Sequence, residues 1–175
     1  LPKALKVPVG AFLQGNRHLL PELWSMVCQL VKDSRAKKVA DLYGGVGFFA
    51  AAAEAGGASH LEVVELARLS AQAAKENLPS ARVWCTSAEE AVGQGVLQGK
   101  DLVILDPPRG GLSPGVREAL LGASAPLLLY VSCDPPCLAR DVSHLVGAGY
   151  QVIWARLFDL FAGTHHVELA VLLQR

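Results

Sequence analysis

The chain has 175 residues, 51% of them hydrophobic, and its 16 Lys and Arg are balanced by 16 Asp and Glu for a net charge of zero. This is enough chain to bury one core and too little for two, so a single domain over residues 1–175 is expected. Zero net charge argues against a domain that grips nucleic-acid phosphates unaided, and no apolar run reaches the roughly 18 to 20 residues of a membrane-spanning helix.

The first residue is Leu, and Lys3 and Lys6 precede Pro8 and Gly10 where a secretory leader would place an apolar stretch, so the chain reads as a fragment without a signal peptide. Leu1 to Asn16 is expected to be extended or irregular, with Phe12-Leu-Gln-Gly-Asn16 either a lid edge or a connector. His18 to Ser34 sets Leu19, Leu20, Leu23, Trp24, Val27, Leu30 and Val31 at helical spacing, with Pro21 in the first turn. Residues 1–36 therefore form a leading segment and a helix ahead of a core over 37–175.

From Lys37 onward, buried strands alternate with amphipathic helices: Val39 to Tyr43 then Phe48 to Ala55, Leu61 to Glu65 then Ala67 to Asn77, Arg82 to Thr86 then Ala88 to Val92. Leu102 to Asp106 is followed by Pro114 to Leu121, and Leu127 to Ser132 by Leu138 to Val146. Gln151 to Phe158 and Val167 to Leu173 close the chain with no helix between them, so one of these two strands is expected to be antiparallel. Such repetition implies an α/β fold, a mostly parallel seven-stranded sheet with helices on both faces. By topology it resembles the Rossmann-like methyltransferases.

Strand ends carry the chemistry, because ligands of open α/β sheets bind beyond the carboxyl ends of the strands. Asp41-Leu-Tyr-Gly-Gly-Val-Gly47 is a strand-to-helix turn in which glycine lets backbone approach a nucleotide closely. Gly45-Val-Gly47-Phe-Phe-Ala50 also fits the dinucleotide fingerprint, and Glu65 stands about 20 residues on, where an acid meets ribose hydroxyls. On these residues NAD and S-adenosylmethionine are both open, as is a purely structural glycine turn. Glu65 equally suits the first turn of the following helix. Asp106-Pro-Pro-Arg109 ends the fourth strand. It resembles the Asp-Pro-Pro-aromatic motif of amino-group methyltransferases, but Arg109 replaces the ring that would stack on a base.

Leu127-Leu-Leu-Tyr-Val-Ser-Cys133-Asp-Pro-Pro136 places Cys133 at a strand end, with a helix start at Pro135-Pro136 expected to favour its thiolate. A packed core cysteine is the alternative. Cys28 and Cys85 fit as small buried hydrophobes. Cys133 and Cys137 find no second Cys or His pair to complete a zinc site, so no metal is expected, and reduced thiols point to a cytoplasmic setting. Near the end, Thr164, His165, His166 and Glu168 lead into an apolar strand, where a carboxylate is costly to bury unless partnered or used.

Phe12-x-Gln14-x-Asn16, Asp41-Leu-Tyr-Gly-Gly45, Asp106-Pro-Pro-Arg109, Ser132-Cys-Asp-Pro135 with Leu138-Ala-Arg-Asp141, and Thr164-x-His-Val-Glu168 together resemble the RNA 5-methyluridine methyltransferases, in the same order and over nearly the whole chain. The resemblance implies S-adenosylmethionine as methyl donor, with Gln14, Tyr43, Gly45, Glu65, Ser87 and Asp106 at its site. It makes Cys133 the nucleophile and Glu168 the general base; the chemistry of the addition, apart from the resemblance, assigns Arg109 or a neighbouring donor to stabilising an enolate. Asp134 stands where that family usually has asparagine, and Phe48 where it commonly has a polar residue. The family's N-terminal RNA-binding domain is expected to be absent from this chain, which would fit the neutral charge. The implied substrate is a uridine of tRNA or rRNA, and the expected protein is a monomer without membrane attachment. The rivals are an RNA 5-methylcytidine methyltransferase, an NAD-dependent oxidoreductase, and an inactive RNA-binding module of methyltransferase fold.

Overall fold

The computed structural model describes residues 3–11, 19–123, 125–159 and 167–175. An amino-terminal strap over 3–11 leads to helix α1 (Leu20–Ser34), whose buried face carries Leu23, Trp24, Val27 and Val31. Then come β1 (Lys38–Leu42), α2 (Phe48–Gly56), β2 (His60–Val64), α3 (Arg68–Asn77), β3 (Arg82–Trp84) and α4 (Ala88–Gly93). β4 (Leu102–Leu105), α5 (Pro114–Ala123), β5 (Leu127–Ser132), α6 (Pro135–Gly147), β6 (Gln151–Phe158) and β7 (Glu168–Gln174) complete the chain. Each expected strand and helix is present to within a few residues. The main shift is at α6, which starts at Pro135 instead of Leu138 because Asp134 caps it and proline is favoured in a first turn.

The seven strands lie in the order β3-β2-β1-β4-β5-β7-β6. β1 to β5 are parallel, and β7 runs antiparallel between β5 and β6. The central strands are buried on both sides, as their unbroken Val/Leu/Ile runs require. On one face, α1 to α3 close a core around Trp24, Phe48, Phe49 and Ile104. On the other, α4 to α6 close a second around Leu105, Leu120, Leu128 and Tyr130. The order reverses between β1 and β4, and a crevice opens there along the carboxyl edge. None of the described helices is long and apolar enough to cross a membrane.

Candidate active site

A cavity of about 870 Å³ fills that crevice, within the range of small-molecule sites. Tyr43, Gly45, Glu65, Ser87, Asp106, Arg109, Cys133 and Glu168 all line it. Eight of the nine residues assigned from the sequence to catalysis or methyl-donor binding thus line one cavity. Gln14 lies outside the described residues, as do Thr164, His165 and His166.

At one end the chain leaves β1 through Tyr43, held at φ +63°, a left-handed backbone that is uncommon for a residue with a side chain. Burial and the negative charges of Glu89 and Asp141 push its phenol up to about 12. The glycines pass close to β2: a Cβ on Gly44 would stand 2.6 Å from a Val63 methyl. Glu65 binds the turn to the next helix, accepting the Gly45 N–H at 2.9 Å and the Ala67 N–H at 2.6 Å. The helix-start role expected of this acid is therefore filled, and the same residue lines the cavity in which it was expected to meet ribose hydroxyls. Ser87 lines the wall, but its hydroxyl caps α4 by accepting the Glu90 N–H at 3.1 Å.

Beneath the turn, the fully buried Asp41 accepts the Ala50 N–H at 3.0 Å. Burial raises its carboxyl to about 7, against that hydrogen bond and with help from the nearby charge of Glu65. This carboxyl bears on the cofactor. A dinucleotide places its pyrophosphate on free N–H groups at this helix start. Here the Ala50, Gly45 and Gly47 N–H groups are taken by Asp41, Glu65 and the Gly44 carbonyl, and two acids flank the turn. With fewer open N–H groups and two acids at hand, the turn suits a nucleoside without phosphates better than a dinucleotide, and S-adenosylmethionine is such a molecule.

At the other end, Asp106 closes β4. Burial, with the neighbouring charges of Glu168 and Asp41, raises its carboxyl well above the usual carboxylate range. Cys133 follows β5 and Glu168 begins β7. The antiparallel register pairs Ser132 with Leu169, which makes Cys133 and Glu168 the next positions outward on adjacent strands. Glu168 is 1% exposed, whereas Cys133 is half-buried and opens to the cavity.

The expectation that the helix start would favour the thiolate needs correction. Pro135 and Pro136 bring no N–H, and the Cys137 N–H is bound by the Asp134 carboxylate at 2.9 Å, so the first turn offers the sulfur little. Burial and the charge of Glu168 push the Cys133 thiol up, while Arg109 pulls it down. The cation favouring the thiolate is thus a loop arginine.

Sequence reasoning missed what holds that loop. Asp141, fully buried on α6, accepts the Leu112 N–H, the Tyr130 hydroxyl, Arg117 and Arg140, all at 2.8 to 2.9 Å. Burial alone would raise this carboxyl; those hydrogen bonds outweigh it and hold the group below its ordinary range. Gly111 makes the approach possible, because a Cβ there would come 2.6 Å from an Asp141 oxygen. Arg140 also reaches the Gly110 carbonyl at 3.0 Å. Residues 110–112, just after Arg109, are thereby pinned to the helix that follows Cys133. An acid at a helix position flanked by the core residues Leu138 and Leu145 was the available signal. Among the described residues no group of three His, Cys, Asp or Glu is placed to hold a metal ion.

Residues 95–175 match the family model described as tRNA (uracil-5-)-methyltransferase. The chain is 36% identical to an uncharacterized RNA methyltransferase of Clostridium acetobutylicum, covering 97% of this chain and 38% of that protein. It is 32% identical to the 23S rRNA (uracil(747)-C(5))-methyltransferase of Vibrio vulnificus, over 94% of this chain and 44% of that one. The crystal structure of Pyrococcus abyssi tRNA (uracil-54, C5)-methyltransferase, solved with S-adenosyl-L-homocysteine, superposes with a TM-score of 0.83 at 30% identity, covering 94% of this chain and 40% of that one. The chain thus spans about two fifths of the length of these relatives.

Proposed function

The chain belongs to the RNA (uracil-5-)-methyltransferase family, and on that premise we propose that it methylates carbon 5 of a uridine in tRNA or rRNA through a transient bond from Cys133 to carbon 6. The observation that carries this reading is the single cavity lined by both the glycine turn with Glu65 and the pair Cys133 and Glu168. S-adenosylmethionine, when bound, supplies the methyl group as an electrophile. Tyr43, Gly45, Glu65 and Asp106 would hold it, with Gln14 assigned by family likeness alone.

Carbon 5 of uracil is a weak nucleophile while the ring is conjugated. Addition of the Cys133 thiolate to carbon 6 breaks that conjugation and leaves an enolate with electron density on carbon 5. Arg109, exposed at the rim, favours the thiolate and is a candidate to balance the enolate oxygen. After carbon 5 has gained its methyl group, Glu168 takes the remaining proton from that carbon. The electrons then re-form the 5,6 double bond, the sulfur–carbon bond breaks, and the thiolate returns. The uridine must leave its stack to reach a cavity of this depth.

The test is methyl transfer from labelled S-adenosylmethionine to RNA isolated from cells lacking the gene, followed by nucleoside mass analysis. Label in 5-methyluridine supports the reading. Label in 5-methylcytidine only would replace it with the cytidine alternative.

A further inference from the structure

The carboxamide of Asn77, at the end of α3, joins two segments far apart in sequence. Its Oδ1 accepts the Lys6 N–H at 2.8 Å, and its Nδ2 donates to the Lys6 carbonyl at 3.0 Å and to the Val46 carbonyl at 2.8 Å. Lys6 belongs to the strap and Val46 to the glycine turn of the cavity. A primary amide offers a donor and an acceptor side by side, so it can pair with both backbone groups of one residue as a neighbouring strand would. Asparagine and glutamine alone have that group, and here the shorter one fits. Asn77 is only 6% exposed, and a buried amide satisfied on both sides is specific and costly to disturb.

The strap has further anchors. Lys3 pairs with Glu54 at 2.8 Å and Lys6 with Glu76 at 3.0 Å, and Leu5 packs against the core of the α1 to α3 face. These exposed or half-exposed pairs contribute little on their own. Beyond Lys6 the strap makes a turn in which the Ala11 N–H reaches the Pro8 carbonyl at 3.0 Å, with Gly10 at φ +92°. Gly10 then forms part of the wall of the cavity that the glycine turn also lines.

We propose that Asn77 is a positioning residue for methyl-donor binding: it clamps the strap to the glycine turn, so that two walls of the cavity are ordered together. The proposal rests on the donor occupying this cavity. Because Asn77 contacts neither the reacting atoms nor the cavity, its effect passes through Lys6 and Val46. Such coupling is reciprocal: ligand in the cavity protects the strap, and a released strap weakens the ligand.

The experiment compares wild type, Asn77→Ala, Asn77→Asp and Glu76→Ala by calorimetric titration with S-adenosylhomocysteine and by amide hydrogen exchange. Asn77→Asp keeps an acceptor for the Lys6 N–H but loses both donated bonds, and it provides the result if the alanine variant fails to fold. The expected result is a Kd about tenfold weaker in the Asn77 variants, with faster exchange at residues 5–11 and 45–47 together. The wild-type protection of the strap by ligand should also disappear. KM for the donor should rise while kcat at saturating donor stays within about twofold, and Glu76→Ala should match wild type. Folded Asn77 variants with wild-type Kd, or with faster strap exchange and unchanged Kd, would overturn the clamp. If wild type binds no S-adenosylhomocysteine, the donor assignment fails, while joint loosening of the two segments in the variants still tests the clamp separately.

Discussion

Cys133 and Glu168 occupy neighbouring ends of two antiparallel strands, one position beyond the paired Ser132 and Leu169. The reversal of β7 creates this relationship, since a parallel last strand would put its first residue at the opposite edge of the sheet. A buried carboxylate beside a thiol also has an electrostatic consequence. The charge of Glu168 holds the Cys133 thiol up and Arg109 pulls it down. Glu168→Gln should move the pH profile of Cys133 alkylation to lower pH, and Arg109→Gln should move it to higher pH. Iodoacetamide labelling between pH 6 and 10, with the modified cysteine located by mass spectrometry, measures both. Coincident profiles would show that neither group faces the sulfur.

The Asp141 hub should govern stability as well as the Arg109 loop. Removing its carboxylate leaves the Tyr130 hydroxyl and the Leu112 N–H buried without an acceptor, each costing about 1–3 kcal/mol. Asp141→Ala should therefore lose about 2–6 kcal/mol of unfolding free energy, whereas Tyr130→Phe, which removes one donor and leaves the carboxylate its other partners, should lose about 1 kcal/mol. Urea unfolding checks both. Equal losses would mean that the hydroxyl, and not the hub, carries the energy.

Asp41 predicts an unusual pH dependence. Its carboxyl has an ordinary value of 3.8 and is raised to about 7 in the fold, so between those values the folded chain holds more protons than the unfolded one. Stability from this group is then greatest below about pH 4 and falls as pH rises towards 7. Asp106 acts with the same sign. Asp41→Asn keeps an acceptor for the Ala50 N–H and removes the titration. Its unfolding free energy should vary less between pH 4.5 and 8, and near pH 8 it should exceed wild type by on the order of 2–4 kcal/mol. Parallel curves for the two proteins would place the ionisation elsewhere.

Much of this was legible in the residues because sheet chemistry is local. Val39 to Tyr43 is followed by Gly44, Leu102 to Asp106 by Pro107, and Leu127 to Ser132 by Cys133-Asp-Pro135; each end of these largely apolar runs marks the crevice. Spacing could not convey partnership at a distance. Asp141 is 29 residues from Leu112, and Asn77 is 71 from Lys6; only the folded chain shows that Asp141 ties residues 110–112 to α6 and that Asn77 joins the strap to the glycine turn. The helix start behind Cys133 misled for a physical reason. Two prolines carry no N–H, and Asp134 takes up the next donor of the turn, the Cys137 N–H.

The central claim is the transient bond between Cys133 and a pyrimidine. Incubation with S-adenosylmethionine and RNA containing 5-fluorouridine tests it directly, because fluorine at carbon 5 cannot leave as a proton and the adduct should persist. The account predicts a complex stable in denaturing gels whose crosslinked peptide contains Cys133, and no complex with Cys133→Ala. A complex that survives Cys133→Ala, or methylation of ordinary uridine RNA with no trapped species on the fluorinated one, would contradict it.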